Sequence, residues 1–402
     1  MKRKILAVVI ALMFFKSSHG QQAGFNGDLA AELANTVMHK WPDSLMHNNG
    51  TKNAGWSYDV GLYLEAIGNV YARTGEQKYF DYIVHTMDNF IGEDGSIRYY
   101  KQESYNIDYV RNGKILLYLY EKTGKDKYLK AAQYVRKQLD THPRTTAGGF
   151  WHKKVYPNQM WLDGLYMGQP FYARYSKMFN QTKDFDDVAL QFILMEKNAR
   201  DPKSGLLYHG WDESKSQAWA NKETGQSSNF WGRAMGWYGV ALVDVLDDFP
   251  IDDPQRKELI AILNRYVEAV AKVQNKSNGL WYQVLDKAKE KKNYPEASAS
   301  SMFVYTFAKA ARLGYINKKY HQLVSKGFAG MKENFLERDA EGRLHLNGTV
   351  QVSGLGGKPY RDGSFEYYIS EPDIQDDPKG MGAFILAANE VLLLNQVKNL
   401  DR

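Results

Sequence analysis

The chain has 402 residues, 44% of them hydrophobic and 24% charged, which is enough to bury a sizeable core and excludes a disordered or fibrous class. The net charge is only +6, and four of the positive residues (Lys2, Arg3, Lys4 and Lys16) fall in the first twenty positions, so a nucleic-acid binder working by bulk charge is excluded. There is no cysteine, which removes disulfides, thiolate catalysis, zinc–thiolate sites and iron–sulfur clusters.

The N-terminus places a basic start before an apolar run from Ile5 to Phe15, followed by small residues up to Gly20. This pattern predicts a secretion signal over residues 1–20 and a single domain over 21–402. The run is too short for a membrane anchor, and no cysteine follows it for lipid attachment. An exported, periplasmic protein is the expectation; a buried N-terminal helix is the alternative.

Further along, Thr74-Gly75 before Lys78-Tyr79 is echoed by Thr123-Gly124 before Lys127-Tyr128. Each glycine reads as a helix C-cap, and each tyrosine opens the next amphipathic segment. Polar, one-sided helices are expected near 29–41, 79–91, 127–140, 184–198, 255–275 and 318–337. Helices richer in small and aromatic residues alternate with them, near 56–73, 107–122, 160–179, 230–248, 296–313 and 379–395. A helix apolar most of the way round belongs inside, and a one-sided helix belongs on the surface. Six alternating pairs predict an all-α, (α/α)6 barrel, with an open helical solenoid as the competing arrangement.

The loops before the inner helices are long and rich in glycine and aromatics, as in Gly148-Gly149-Phe150-Trp151-His152 and Gly279-Leu280-Trp281-Tyr282. They predict short β-hairpins gathered at one end of the barrel, where function tends to sit. Acids open several inner helices there. For Asp59 and Asp376 helix capping is the plain explanation. Asp163, among Trp161, Leu165, Tyr166 and Met167, lies inside an apolar helix and must be paired, hydrogen-bonded or kept protonated. Asp108 opens a neighbouring helix, and two close carboxylates push one pKa upward and yield a general acid; for Asp163 a buried cap is the alternative. Arg233 and Trp237 share a helical face, suited to gripping a uronate carboxylate under a stacked ring or, equally, to core packing. His152 and His209 stand on aromatic loops as candidate donors. Histidine spacing suggests no metal, and no cofactor motif is present.

Tyr156-Pro157-Asn158-Gln159-Met160-Trp161-Leu162-Asp163-Gly164, His209-Gly210-Trp211-Asp212-Glu213, Phe230-Trp231-Gly232-Arg233-Ala234-Met235-Gly236-Trp237 and Arg361-Asp362-Gly363-Ser364-Phe365-Glu366-Tyr367-Tyr368 together resemble glycoside hydrolase family 105. These are the unsaturated rhamnogalacturonyl hydrolases, and the resemblance runs over essentially the whole chain after residue 20. It implies an (α/α)6 barrel without metal that releases a terminal Δ4,5-unsaturated galacturonate from pectin-derived oligosaccharides. It further implies that Asp163 protonates the vinyl ether and then handles the water, with Asp108 holding sugar hydroxyls and keeping the Asp163 pKa high. Tyr58, His152, His209, Trp211, Trp231, Arg233 and Trp237 would line the terminal subsite, with Tyr58 and Trp211 stacking on the sugar. The alternatives are an unsaturated glucuronyl hydrolase, a non-catalytic uronate-binding toroid, and an inverting glycosidase or lyase.

Overall fold

The computed structural model describes residues 25, 27–42 and 55–400; the expected secretion signal lies outside them. Helices follow one another as α1 (Leu29–Lys40), α2 (Tyr58–Thr74), α3 (Gln77–Asp88), α4 (Gly113–Thr123), α5 (Asp126–Thr141), α6 (Leu162–Met178) and α7 (Asp184–Ala199). After them come α8 (Gly232–Val245), α9 (Pro254–Lys272), α10 (Ala297–Arg312), α11 (His321–Phe335), the short α12 (Phe365–Ser370) and α13 (Pro378–Leu400). Helices α2, α4, α6, α8, α10 and α13 each pack on the next, and α13 also packs on α2. That last contact closes the ring, which an open solenoid would leave unmade. The molecule is an (α/α)6 barrel.

Composition explains the layering. Every residue of α8 is buried, from Gly232 through Val245, so this helix has no solvent face. In α9 the buried residues Leu259, Ile262, Leu263, Tyr266, Val267 and Val270 recur at helical spacing and leave a polar outer face. Helix α13 is apolar enough to cross a membrane by length and composition, yet most of that stretch is buried between α10 and α2.

The expected inner helix 107–122 is broken. Ile107–Val110 form a 3-10 turn before α4, with the Asp108 N–H donating to the Asn106 side chain at 3.1 Å. The Ile107 side chain rests on Gly164 and Gly168 of α6, where a Cβ on Gly168 would meet it at 3.2 Å. The turn thus packs closely on the two glycines of α6.

The loops pair less locally than expected. Strands β1 (Gln159–Trp161) and β2 (Gly210–Asp212) join two different loops in antiparallel register, Trp161 opposite Gly210. One local hairpin does form, β3 (Leu336–Arg338) with β4 (Leu344–Leu346). Strands β5 (Thr349–Val350) and β6 (Asp373–Ile374) pair beside it. Neighbouring inner helices bring successive loops side by side, so a strand finds its partner across the rim.

At the opposite end of the barrel the charges are mutually satisfied. Asp244 accepts from Lys309 Nζ and Tyr305 OH, both at 2.7 Å. Burial opposes its charge, but Lys114 and Lys309 outweigh that and hold its carboxyl well below the usual range. A cavity of about 280 Å³ lies there, lined in part by Glu65, Lys114, Asp247 and Lys309.

Outside the ring, His345 on β4 bridges two acids, with Nδ1 2.8 Å from Asp376 and Nε2 3.1 Å from Asp339. Lys40 at the end of α1 joins at 3.0 Å from Asp376. Burial alone would lower the His345 pKa; its hydrogen bonds to Asp376 and Asp339 outweigh this and raise it. A raised folded-state pKa gives stability that is complete below the unfolded value and is lost as pH climbs through the folded one. His345→Gln is therefore expected to cost most at about pH 6 and progressively less as pH climbs through and beyond the raised folded-state value. Thermal denaturation of both proteins across that range checks this; a gap independent of pH would contradict it.

Candidate active site

The register of β1 with β2 builds the centre of the site. Because Trp161 faces Gly210, the His209 carbonyl accepts from the Leu162 N–H at 3.0 Å, just where α6 begins. Asp163 stands in the first turn of α6, 9% exposed, with Oδ2 3.2 Å from Nε2 of the fully buried His209. The other ring nitrogen, Nδ1, lies 2.7 Å from the Tyr368 hydroxyl.

Asp108 approaches from the 3-10 turn. Its carboxylate is held by Lys153 Nζ at 2.7 Å and lies 3.5 Å from His152 Nε2. Burial pushes its pKa up, but Lys153 and then His152 outweigh this and bring it below the ordinary value. Burial drives the His152 pKa down to about 4, against the pull of Asp108, so this ring is neutral at physiological pH. Both Asp108 and Asp163 bear electrostatically on His152. Asp108 is thus a fixed anion that accepts hydrogen bonds, and its charge is answered chiefly by Lys153.

Aromatic rings hold the histidines in place. Trp161 stacks on His152 at 4.3 Å, meets Tyr156 at 5.1 Å on an almost parallel plane, and presents an edge to His209. Trp231 lies 4.8 Å from His209, its Nε1 donating to Gln283 at 3.1 Å. Tyr58, at the start of α2 and partly exposed, stands edge-on to the buried Trp237, which stacks on Tyr166 at 4.4 Å. Tyr58 over Trp237 forms a floor at the end of the barrel.

Two expected contacts are placed differently. Side chains alternate across a strand, so Trp211 points with Met160 to the face opposite Trp161 and Gly210. There its ring packs over Gly225 and its Nε1 donates to the Thr224 carbonyl at 3.2 Å, so it is Trp161 that stands beside the acids. Arg233 is only 1% exposed. It donates to Ser298 at 2.8 Å, to the Val350 carbonyl and to Glu296, which itself caps α10 and accepts from the Val350 N–H. Its guanidinium braces β5 against α10, because a fully buried acid such as Glu296 demands a cation, and it lies 5.5 Å from the centre of the Trp231 ring. The structure thus gathers Asp108, Asp163, His152, His209, Trp231, Tyr58 and Trp237 at one end and turns Trp211 away.

Lys153, Trp161 and Tyr368 belong to the site although sequence reasoning gave them no role. Lys153 and Trp161 adjoin assigned residues in their motifs. Tyr368 is 159 residues from His209, and nothing in its spacing links them.

Comparison with known proteins places this architecture. The model of Glycosyl Hydrolase Family 88 matches residues 29–395. The solved structure of a glycoside hydrolase from family 105 of C. acetobutylicum ATCC 824 is 48% identical, covering 91% of this chain and 99% of that one, with a TM-score of 0.88. The 24.9 kDa protein in picA locus of Rhizobium radiobacter is 40% identical over 57% of this chain and 99% of its own length. The unsaturated rhamnogalacturonyl hydrolase YesR of Bacillus subtilis (strain 168) is 27% identical over 79% of this chain and 88% of its own.

The Lys153–Asp108 pair makes a direct prediction. In Lys153→Met the burial of Asp108 is opposed mainly by His152, so its carboxyl is expected to titrate above the ordinary carboxylate range. Carbon NMR of the labelled carboxyl measures this, and an unmoved midpoint would contradict it.

Proposed function

This chain belongs to the glycoside hydrolase family 88/105 group, and on that footing we propose that it removes a terminal Δ4,5-unsaturated galacturonate from rhamnogalacturonan-derived oligosaccharides. The observation that carries the reading is Asp163, buried among aromatic rings at the loop-rich end of the barrel, with the His209 ring nitrogen 3.2 Å away and no lysine or arginine paired with it among the described residues. A cation against a carboxyl favours its ionised form, so a site for a proton donor is one that cations are kept from. The relationship to YesR supports the rhamnogalacturonan end of the proposal.

The chemistry is hydration of a vinyl ether, which differs from displacement at the anomeric carbon between two carboxylates. The Asp163 carboxyl gives its proton to C4, and positive charge develops at C5 and the ring oxygen. Water adds at C5 and returns a proton to the Asp163 carboxylate. The resulting hemiketal opens to a C5 ketone, and the hemiacetal left at C1 expels the remaining saccharide as an alcohol. One water is consumed and Asp163 is regenerated, acting first as acid and then as base. Asp108, kept anionic by Lys153, accepts from sugar hydroxyls, and the Tyr58–Trp237 floor offers a ring face to the pyranose.

Asp163→Asn preserves the size of the side chain and removes its proton. It is expected to abolish loss of the ultraviolet absorbance of unsaturated galacturonyl-rhamnose while leaving thermal stability near wild type. Near-normal turnover in the mutant would remove Asp163 from its role. Wild-type enzyme is expected to leave the saturated disaccharide intact and to prefer the unsaturated rhamnogalacturonan disaccharide over its chondroitin or heparin counterparts. The reverse preference would move the substrate to glycosaminoglycans, and binding without turnover would make the barrel a lectin.

A further inference from the structure

Tyr368 lies on α12, outside the twelve barrel helices, and it is completely buried. The segment carrying it is fastened to the site by specific bonds. Ser228 Oγ and Asn229 Nδ2 donate to the Gly363 carbonyl at 2.7 and 2.8 Å, just before α12. Ser364 caps the helix, accepting from the Tyr367 N–H at 3.1 Å. Gln283 donates to the Tyr368 carbonyl at 3.0 Å while its Oε1 accepts from Trp231, so backbone and indole are set by one amide. The Tyr368 ring lies nearly parallel to Trp231, 6.0 Å away, on the same side as His209.

What this anchoring delivers is a hydroxyl 2.7 Å from His209 Nδ1, the ring nitrogen that faces away from Asp163. A neutral imidazole carries its proton on one nitrogen only, and the partner of the other nitrogen decides which. His209 Nδ1 is the one acceptor within hydrogen-bond reach of the Tyr368 hydroxyl among the described residues, so the phenol donates to it. Nδ1 must then accept, which leaves the proton on Nε2, 3.2 Å from Asp163 Oδ2.

We propose that Tyr368 is a positioning residue: its hydroxyl holds His209 in the Nε2–H form, so that the ring nitrogen nearest Asp163 carries a proton and not a lone pair. The second oxygen of Asp163 is then the one that carries the mobile proton. This rests on the reading of Asp163 as the acid of the site, but the tautomer itself is independent of any substrate. In the opposite tautomer, Nε2 would present a lone pair and draw the Asp163 proton onto the imidazole. Tyr368 acts only through His209.

Two measurements test the proposal. Nitrogen NMR of histidine-labelled protein is expected to show the His209 proton on Nε2 in the wild type and a shift toward Nδ1 in Tyr368→Phe. A proton on Nδ1 in the wild type, or an unaltered ring in the variant, would overturn it. Kinetics on unsaturated galacturonyl-rhamnose supply the second test. Tyr368→Phe is expected to lower kcat on the order of tenfold or more with KM little changed, and to cost nothing further in a His209→Ala background. An equal additional loss in that background would make Tyr368 a packing residue and overturn the proposal. An inactive wild type would instead sink the functional reading, leaving the NMR result to decide the tautomer.

Discussion

One strand pairing carries the site. The antiparallel register that sets Trp161 opposite Gly210 brings His209 against the first turn of α6, and with it the only ring nitrogen in contact with Asp163 among the described residues. A carboxyl nine-tenths buried needs a polar partner or its desolvation goes uncompensated. A slip of β1 by one residue would put Met160 opposite Gly210 and on the pocket face in place of Trp161. Gly210 itself is required by space, since a Cβ there would meet Leu355 at 2.7 Å and the Trp161 ring at 3.0 Å.

Around that pairing, buried acids are divided by the partner each receives. Glu296 is braced by Arg233, Asp377 by Lys379, Asp244 by Lys309 and Asp108 by Lys153. Such pairs tie helix ends, loops and strands together. Asp163 instead faces the imidazole of His209. The barrel supplies this contrast by placing the cations on other inner helices and on the loop before β1, while α6 brings its acid up among aromatic rings.

Much of this was legible in the sequence because it depended on periodicity and on length. All-round apolar stretches marked the inner helices and one-sided stretches the outer ones, and the chain closes them into a ring. The break before α4 is not legible in the periodicity, since Ile107 there packs on Gly164 and Gly168 of α6, a contact between distant segments. Asp108, Asp163, His152 and His209 were readable from polarity within aromatic loops. The orientation of Trp211 was not, since it follows from which loop pairs with β2. Arg233 and Trp237 share a helical face as their spacing implies, yet Glu296, 63 residues away, binds the guanidinium, a pairing that spacing does not show. Tyr368 was quoted in a motif without a role, because its partner is set by the anchoring of α12.

The central claim is that the proton from this site goes to C4 of the alkene and that the anomeric carbon is never attacked directly. Turnover of unsaturated galacturonyl-rhamnose in heavy water, stopped before the released keto acid can exchange, tests it most directly. The account predicts one deuterium at C4 of the uronate, appearing in step with release of rhamnose. Release of rhamnose with the double bond still intact in the freed uronate would contradict it.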